Sequence, residues 1–323
     1  MEKVWGGNKL VKLLNKQVDE HKPYGESWEI AQLGEIDSFV ENGFLKGNTL
    51  SEIIEIYMNE LLGDQVYLKY GEEFPLLFKF IDANDKLSIQ VHPDNEVAQY
   101  RHNAYGKCEM WYVVDAEPNA QIILGFKEKI DKQKLFKAIE DKSLSNLLNY
   151  ENVKKGDVFY IPSGTVHALL KGVVVAEIQQ NSDITYRLYD WDRPDLDGKP
   201  RKLHIELALD VINYDVQKNL VVKYQIAEQK RIPLVANAYF TTNLISFDNS
   251  LVFDYSKLDS FVVCMCVDGS FDLKTSNNDE IIKISKGQTV LIPAEIEEVT
   301  LMPNEKCVVL ETYIPFVYVD QQN

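Results

Sequence analysis

The chain is expected to fold as a mainly β protein of two related barrel or sandwich domains, with helices inserted between strands. Three observations lead there. First, the sequence breaks into short runs rich in β-branched and aromatic residues, bounded by Gly, Pro and Asp. Phe74–Ile81, Lys86–Val91, Glu109–Ala116, Ala120–Phe126, Gly156–Ile161 and Val173–Gln180 all read as strands. Second, three segments carry helical spacing instead. Leu50, Ile53, Ile54 and Tyr57 recur on one face before Leu61. Ile130, Leu135, Ile139, Leu144 and Leu147 mark a helical pair between Lys127 and Tyr150, and Leu203, Leu207, Val211 and Ile212 mark a third. Helical insertions are therefore placed at about 49–62, 127–150 and 202–213.

Third, the sequence repeats itself. Lys155-Gly156-Asp157-Val158-Phe159-Tyr160-Ile161-Pro162 is echoed by Lys286-Gly287-Gln288-Thr289-Val290-Leu291-Ile292-Pro293, with four identities in eight positions. Each copy reads as a turn, a strand and a proline that ends the strand. In this register Glu298 stands where the first copy has His167, and no histidine follows His204. Residues 1–229 are thus expected to form a domain that carries the chemistry, and 230–323 a related β domain without a metal.

A length of 323 residues suits two domains, and hydrophobic and charged contents of 45% and 26% are ordinary for a soluble globular protein. The net charge of −16 argues against a nucleic-acid or anionic-membrane partner. An anionic small substrate needs a locally basic site against that background. Met1–Gly7 shows no apolar core with a cleavage site, and no apolar run approaches membrane-spanning length. Four cysteines (Cys108, Cys264, Cys266, Cys307) without a CxxC pair suggest no disulfide framework, so a cytoplasmic location is expected. The sequence gives no indication of oligomeric state.

The chemistry concentrates in Ser88-Ile89-Gln90-Val91-His92-Pro93-Asp94, then Glu109, then Gly164-Thr165-Val166-His167. Alternate residues of a strand share a face, so Ser88, Gln90 and His92 point the same way. An amide oxygen and an imidazole, joined by a carboxylate and a second imidazole from neighbouring strands, make an N/O cage for a divalent metal. Zinc suits it, with iron, nickel or manganese as alternatives.

Gly156, Pro162, Gly164 and His167 form G-x5-P-x-G-x2-H, which resembles the second motif of the cupin superfamily, carried on a double-stranded jelly roll. The first cupin motif departs here, because Gln90 replaces its first His and Glu109 follows only after a long loop. That departure weighs against the alternative of an iron-dependent cupin oxygenase. A non-catalytic sugar-binding cupin is the other alternative, and the intact ligand set weighs against it.

A narrower resemblance covers nearly the whole chain. Pro75–Ile81, Leu87–Asp94, Gly106–Tyr112 and Ile161–Ala168 resemble type I mannose-6-phosphate isomerases in their short bacterial form, as do Trp5-Gly6-Gly7 and Gly25-Glu26-Ser27-Trp28-Glu29. The resemblance implies one zinc per chain, held by Gln90, His92, Glu109 and His167. It also implies interconversion of mannose 6-phosphate and fructose 6-phosphate through an enediol-type intermediate. The segment Asp183-Ile184-Thr185-Tyr186-Arg187 matches the one that bears the family's active-site arginine, so Arg187 is the expected catalytic residue.

Lys79, Lys107, Glu177 and Ser88 are further candidates for contacts with a sugar phosphate. Lys107 stands two residues from Glu109, and Glu177 interrupts an apolar strand, where a charge is rarely buried without a partner. Arg193 competes with Arg187, although an unplaced Arg in an acidic protein is ordinarily a surface ion pair. His21, His102 and His204 are expected to lie outside the metal site.

Overall fold

The computed structural model describes residues 1–277 and 280–316. Up to the first long strand the β elements are β1 (Glu2–Gly7), β2 (Glu26–Ile30), the small pair β3 (Gln32–Leu33) and β4 (Ile36–Asp37), and then β5 (Leu76–Ala83). There follow β6 (Ile89–Val91), β7 (Glu109–Ala116), β8 (Gln121–Phe126), β9 (Leu148–Asn152) and β10 (Val158–Ile161). Next come β11 (His167–Leu169), β12 (Val173–Gln180), β13 (Tyr186–Tyr189) and β14 (Val221–Val222). One sheet runs β14-β10-β7-β12-β5-β2 and a second runs β13-β6-β11-β8-β9. Their inward faces supply one core, in which Trp111, Val113, Phe159, Ile161 and Val175 pack with Ile122 and Leu124. β5 and β12 are buried along their whole length, which suits interior strands of the first sheet whose sequences are almost continuously apolar.

The later chain repeats this plan. It contains β15 (Lys230–Ala236), β16 (Thr241–Phe247), β17 (Leu251–Asp254), β18 (Val262–Asp268) and β19 (Ser270–Thr275). It continues with β20 (Ile281–Ser285), β21 (Thr289–Ile292), β22 (Glu298–Pro303) and β23 (Cys307–Tyr313). The sheets are β15-β16-β23-β18-β21 and β17-β22-β19-β20. Substituting β2, β5, β7, β10 and β12 by β15, β16, β18, β21 and β23 turns one large sheet into the other. β6, β8, β9 and β11 become β17, β19, β20 and β22 in the same way. The repeated octapeptides give β10 and β21, each after a glycine of positive φ, 91° at Gly156 and 88° at Gly287. Within each half the two sheets stay separate among the described residues, so the expected fold takes its sandwich form.

Six helices are inserted among the described residues: α1 (Lys9–Lys12), α2 (Leu50–Leu62), α3 (Asp64–Tyr70), α4 (Asn95–His102), α5 (Lys132–Glu140) and α6 (Ile205–Val211). α2 starts in a capping box, with Thr49 Oγ1 accepting from Glu52 N and Glu52 Oε2 accepting from Thr49 N. The helical pair expected over 127–150 is a single helix, α5, and one 3-10 turn, Leu144–Asn146. Lys142 at φ 55° interrupts the helical path, and Leu148 onward pairs as β9 against β8. α3 and α4 were not anticipated, although Asp94 caps α4 by accepting from Val97 N at 2.9 Å.

Two compact units emerge, and they do not follow a single cut near 229. The first contains Met1–Trp28 and Phe78–Val222; the second contains Glu29–Leu77 and the chain from Lys223. The insertion at 49–62 therefore groups with the second unit, not the first. Local bonding explains why. Asp259 accepts from the α3 amides of Asp64 and Gln65 at 2.6 and 3.0 Å, and Leu61 and Leu62 carbonyls accept from Ala294 and Phe261 amides.

Candidate metal centre and active site

Antiparallel pairing sets the site. His167 of β11 lies directly opposite Gln90 of β6, and Arg187 of β13 lies opposite Gln90 on its other side. Directly opposed residues share a sheet face, so Arg187, Gln90 and His167 form a row across three strands. From the other sheet β7 contributes Glu109 and Trp111, two residues apart and on one face. His92 follows β6 immediately.

His92, Glu109 and His167 each offer a ligand atom, and these atoms lie within 4.8 Å of one another in a fully buried setting. His167 Nε2 is 3.2 Å from Glu109 Oε1, and His92 Nε2 is 3.6 Å from Oε2. Each imidazole turns Nδ1 to a backbone carbonyl, His92 to Ile184 O at 2.8 Å and His167 to Thr165 O at 2.9 Å. A carbonyl only accepts, so Nδ1 carries the proton in both rings. Desolvation, with Lys107 adding to it, holds His92 well below the usual imidazole range. His167 is likewise pushed down by burial, to about 4. Both rings are therefore neutral near pH 7, and their unprotonated Nε2 lone pairs face Glu109 oxygens, which cannot donate either once the carboxyl is ionised.

Acceptors facing acceptors is unfavourable unless a cation sits among them. Among the described residues His92 Nε2 and both oxygens of Glu109 find no hydrogen-bond partner, although such atoms are rarely left without one when buried. Burial also raises the Glu109 carboxyl to about 7 despite the opposing pull of Lys107, whose Nζ is 3.2 Å from Oε2. The donor set fits a divalent ion. Gln90 is beside it: its amide nitrogen is 3.3 Å from His167 Nε2, and Ser88 Oγ bonds its amide oxygen at 3.3 Å. A half-turn of that amide exchanges nitrogen for oxygen towards the same point.

A second buried cluster adjoins this one in the same unit. Lys79 Nζ donates to Glu177 Oε1 at 3.1 Å and to Gln179 Oε1 at 2.7 Å, and lies 5.0 Å above the Trp28 ring. Trp111 Nε1 donates to Glu177 Oε2 at 2.7 Å while its ring meets His167 edge-on. Desolvation opposes the charge on Glu177, but Lys79 and then Lys107 outweigh it, so the carboxyl stays below its usual range. Glu26 is held at about 2 in the same manner, Lys79 and Lys3 overcoming burial. For Lys107 burial is again the largest influence, yet Glu109 and Glu177 more than offset it and its pKa is raised.

Arg187 is partly buried, and among the described residues no hydrogen bond or ion pair engages its guanidinium, whose Nε is buried without a partner. Desolvation and neighbouring Arg201 both disfavour its charge. Arg193 is committed elsewhere, to Asp85 at 3.4 Å and Asp190 at 3.2 Å. Of the remaining histidines, His102 meets Tyr186 OH, His204 Nδ1 accepts from Arg187 N, and His21 is exposed.

Gln179, Trp111, Trp28 and Glu26 complete the clusters and were not singled out from the sequence. The signal was there for two of them. Trp111 stands two residues from Glu109 and Gln179 two from Glu177, each on the same strand face as its partner.

The chain is similar to known proteins over nearly its whole length. A family model described as phosphomannose isomerase type I, catalytic domain, matches residues 1–146, and one described as mannose-6-phosphate isomerase, cupin domain, matches 230–311. The chain is 36% identical over 311 residues to mannose-6-phosphate isomerase ManA of Bacillus subtilis, covering 95% of each. It is 40% identical over 241 residues to mannose-6-phosphate isomerase of Streptococcus mutans, covering 74% of each. The crystal structure of mannose 6-phosphate isomerase from Bacillus subtilis aligns with a TM-score of 0.86 at 33% identity, covering 97% of this chain and 96% of that one. The chain belongs to the type I phosphomannose isomerase family.

Proposed function

We propose that the protein interconverts mannose 6-phosphate and fructose 6-phosphate at the His92–Glu109–His167 centre. One observation carries the reading: two unprotonated imidazole nitrogens, that of His92 without any hydrogen bond, converge at a buried point with a carboxylate whose close cation is Lys107. His92, Glu109 and His167 would hold a divalent ion, with Gln90 as the fourth ligand. The two-nitrogen, two-oxygen set favours zinc. When bound, the ion supplies Lewis-acid polarisation of the sugar oxygens on the reacting carbons.

The chain's own groups do the rest. Moving a proton between adjacent carbons places negative charge on neighbouring oxygens. Arg187, unpaired and unable to lose its proton near neutral pH, is aligned to stabilise that charge. Glu177 already accepts from Lys79 and Trp111, so it orients Lys79 rather than acting as a free base. Lys79, Lys107 and Arg187 balance Glu26, Glu109 and Glu177 in number. A bound divalent ion then leaves the pocket positive and suited to a sugar phosphate inside an acidic protein. Four buried cysteines that form no disulfide accord with a cytoplasmic enzyme, and among the described residues no helix is long and apolar enough to cross a membrane.

The test is a coupled assay of mannose 6-phosphate isomerisation with chelator-treated protein, then with zinc, iron, nickel or manganese restored. Activity should vanish with the chelator and return best with zinc. Undiminished turnover after complete metal removal, or no isomerisation by the metal-loaded protein, would sink the proposal.

A further inference from the structure

The duplicated topology allows residue-by-residue comparison of the two units. In the first, Glu109 opposes Ile161 and Trp111 opposes Phe159. In the second, Val262 opposes Ile292 and Cys264 opposes Val290. The octapeptide repeat equates Phe159 with Val290 and Ile161 with Ile292, so Glu109 corresponds to Val262 and Trp111 to Cys264. On the other side of those strands Glu177 opposes Trp111, and Glu311 opposes Cys264. Glu177 therefore corresponds to Glu311, and the flanking residues agree: Val174-Val175-Ala176-Glu177 against Val308-Val309-Leu310-Glu311.

The second unit has thus lost the carboxylate of the metal centre and kept the neighbouring one. Glu311 is 0% exposed and lies deep in an apolar sandwich, where an isolated carboxylate is strongly disfavoured. Its partners come from the strands that correspond to those around Glu177. Asn243 Nδ2, on β16 as Lys79 is on β5, donates to Oε2 at 2.9 Å. Arg231 Nε, on β15, lies 2.8 Å from Oε2 and 3.0 Å from Oε1. Tyr255, the residue after β17 as His92 is after β6, donates its hydroxyl to Oε1 at 2.7 Å. The Arg231 guanidinium is stacked over Phe253 at 4.3 Å and Tyr255 at 5.2 Å. Unlike Glu109, Glu311 keeps no buried oxygen without a partner.

We propose that the second unit keeps the Glu177 position as a cation site whose resident cation is the guanidinium of Arg231, an internal ligand seated between Glu311 and the Phe253–Tyr255 rings. Arg231 remains about a third exposed, its side chain at 36% against 0% for Glu311, so the cation reaches the buried carboxylate from the solvent side. Truncating Arg231 should therefore open a pocket that binds a free guanidinium ion: planar, cationic, and matched to a carboxylate below aromatic faces. Ammonium, compact and strongly hydrated, matches it poorly.

The test uses full-length Arg231→Ala protein, melted in buffer, in low-millimolar guanidinium chloride and in equal ammonium chloride, with wild type alongside. The variant should melt several degrees below wild type. Guanidinium should recover part of that loss saturably, ammonium should not, and wild type should gain nothing. A variant that melts like wild type, or that responds equally to both salts, overturns the proposal. Arg231→Ala combined with Glu311→Gln covers the case in which the single variant does not fold. With the stranded charge gone, the double variant should be more stable than the single one and indifferent to guanidinium. If it is no more stable, or is still rescued, Arg231 acts by packing alone and the proposal fails.

Discussion

Glu109 is expected to destabilise the metal-free protein, and the size of that effect follows from its surroundings. Its carboxyl lies at about 7 against an ordinary value of 4.5, chiefly because of burial. A gap of roughly 2.5 pH units at about 1.4 kcal/mol each comes to about 3 kcal/mol. The folded-state pKa is raised, so the stabilising contribution is full below the unfolded value and is lost as pH rises through about 7. Glu109→Gln has no such titration. In chelator, its stability relative to wild type should improve by about 2 to 3 kcal/mol between pH 5 and pH 8. With metal present the order should reverse, because only wild type keeps the full ligand set. Urea unfolding of both proteins at the two pH values, with and without metal, measures this directly. A stability difference in chelator that does not change with pH, or that moves against the variant at pH 8, would refute the picture of a strained, cation-ready carboxylate.

Arg187→Ala should lower turnover about a hundredfold with metal content unchanged, while Arg193→Ala, whose guanidinium is held by Asp85 and Asp190, should do far less; a loss confined to KM would make Arg187 a phosphate clamp instead. Lys79→Met leaves the buried Glu177 without its cation and should cost about 3–5 kcal/mol in urea unfolding, with Glu177→Gln in the same chain recovering much of it. Gly164 has φ +83°, and a Cβ there would sit 2.8 Å from Val211 O. Gly164→Ala should therefore cost at least about 1 kcal/mol and weaken metal retention by disturbing the turn into His167, as metal analysis after dialysis can check.

The sequence by itself determined the strand-rich fold, the duplication and the identities of the metal-binding candidates. Each rests on local pattern: period-two alternation, turn glycines and polar residues at strand positions that ought to be apolar. Gln90 and His92 are two residues apart, so one strand and the residue after it are enough to suggest a shared face. The tertiary structure alone decided which long-range groups meet. That Arg187 stands opposite Gln90, that Arg193 is spent on Asp190, and that Glu177 is shared by Lys79 and Trp111 all depend on strand register between segments far apart in the chain. It likewise decided that residues 49–62 group with the second unit, through backbone bonds from Phe261 and Ala294 that no local pattern encodes. Nor could the sequence show that Glu311 keeps the place of Glu177 while Arg231 supplies its cation. Local periodicity specifies which way a side chain points, but only the packed sheets specify what it points at.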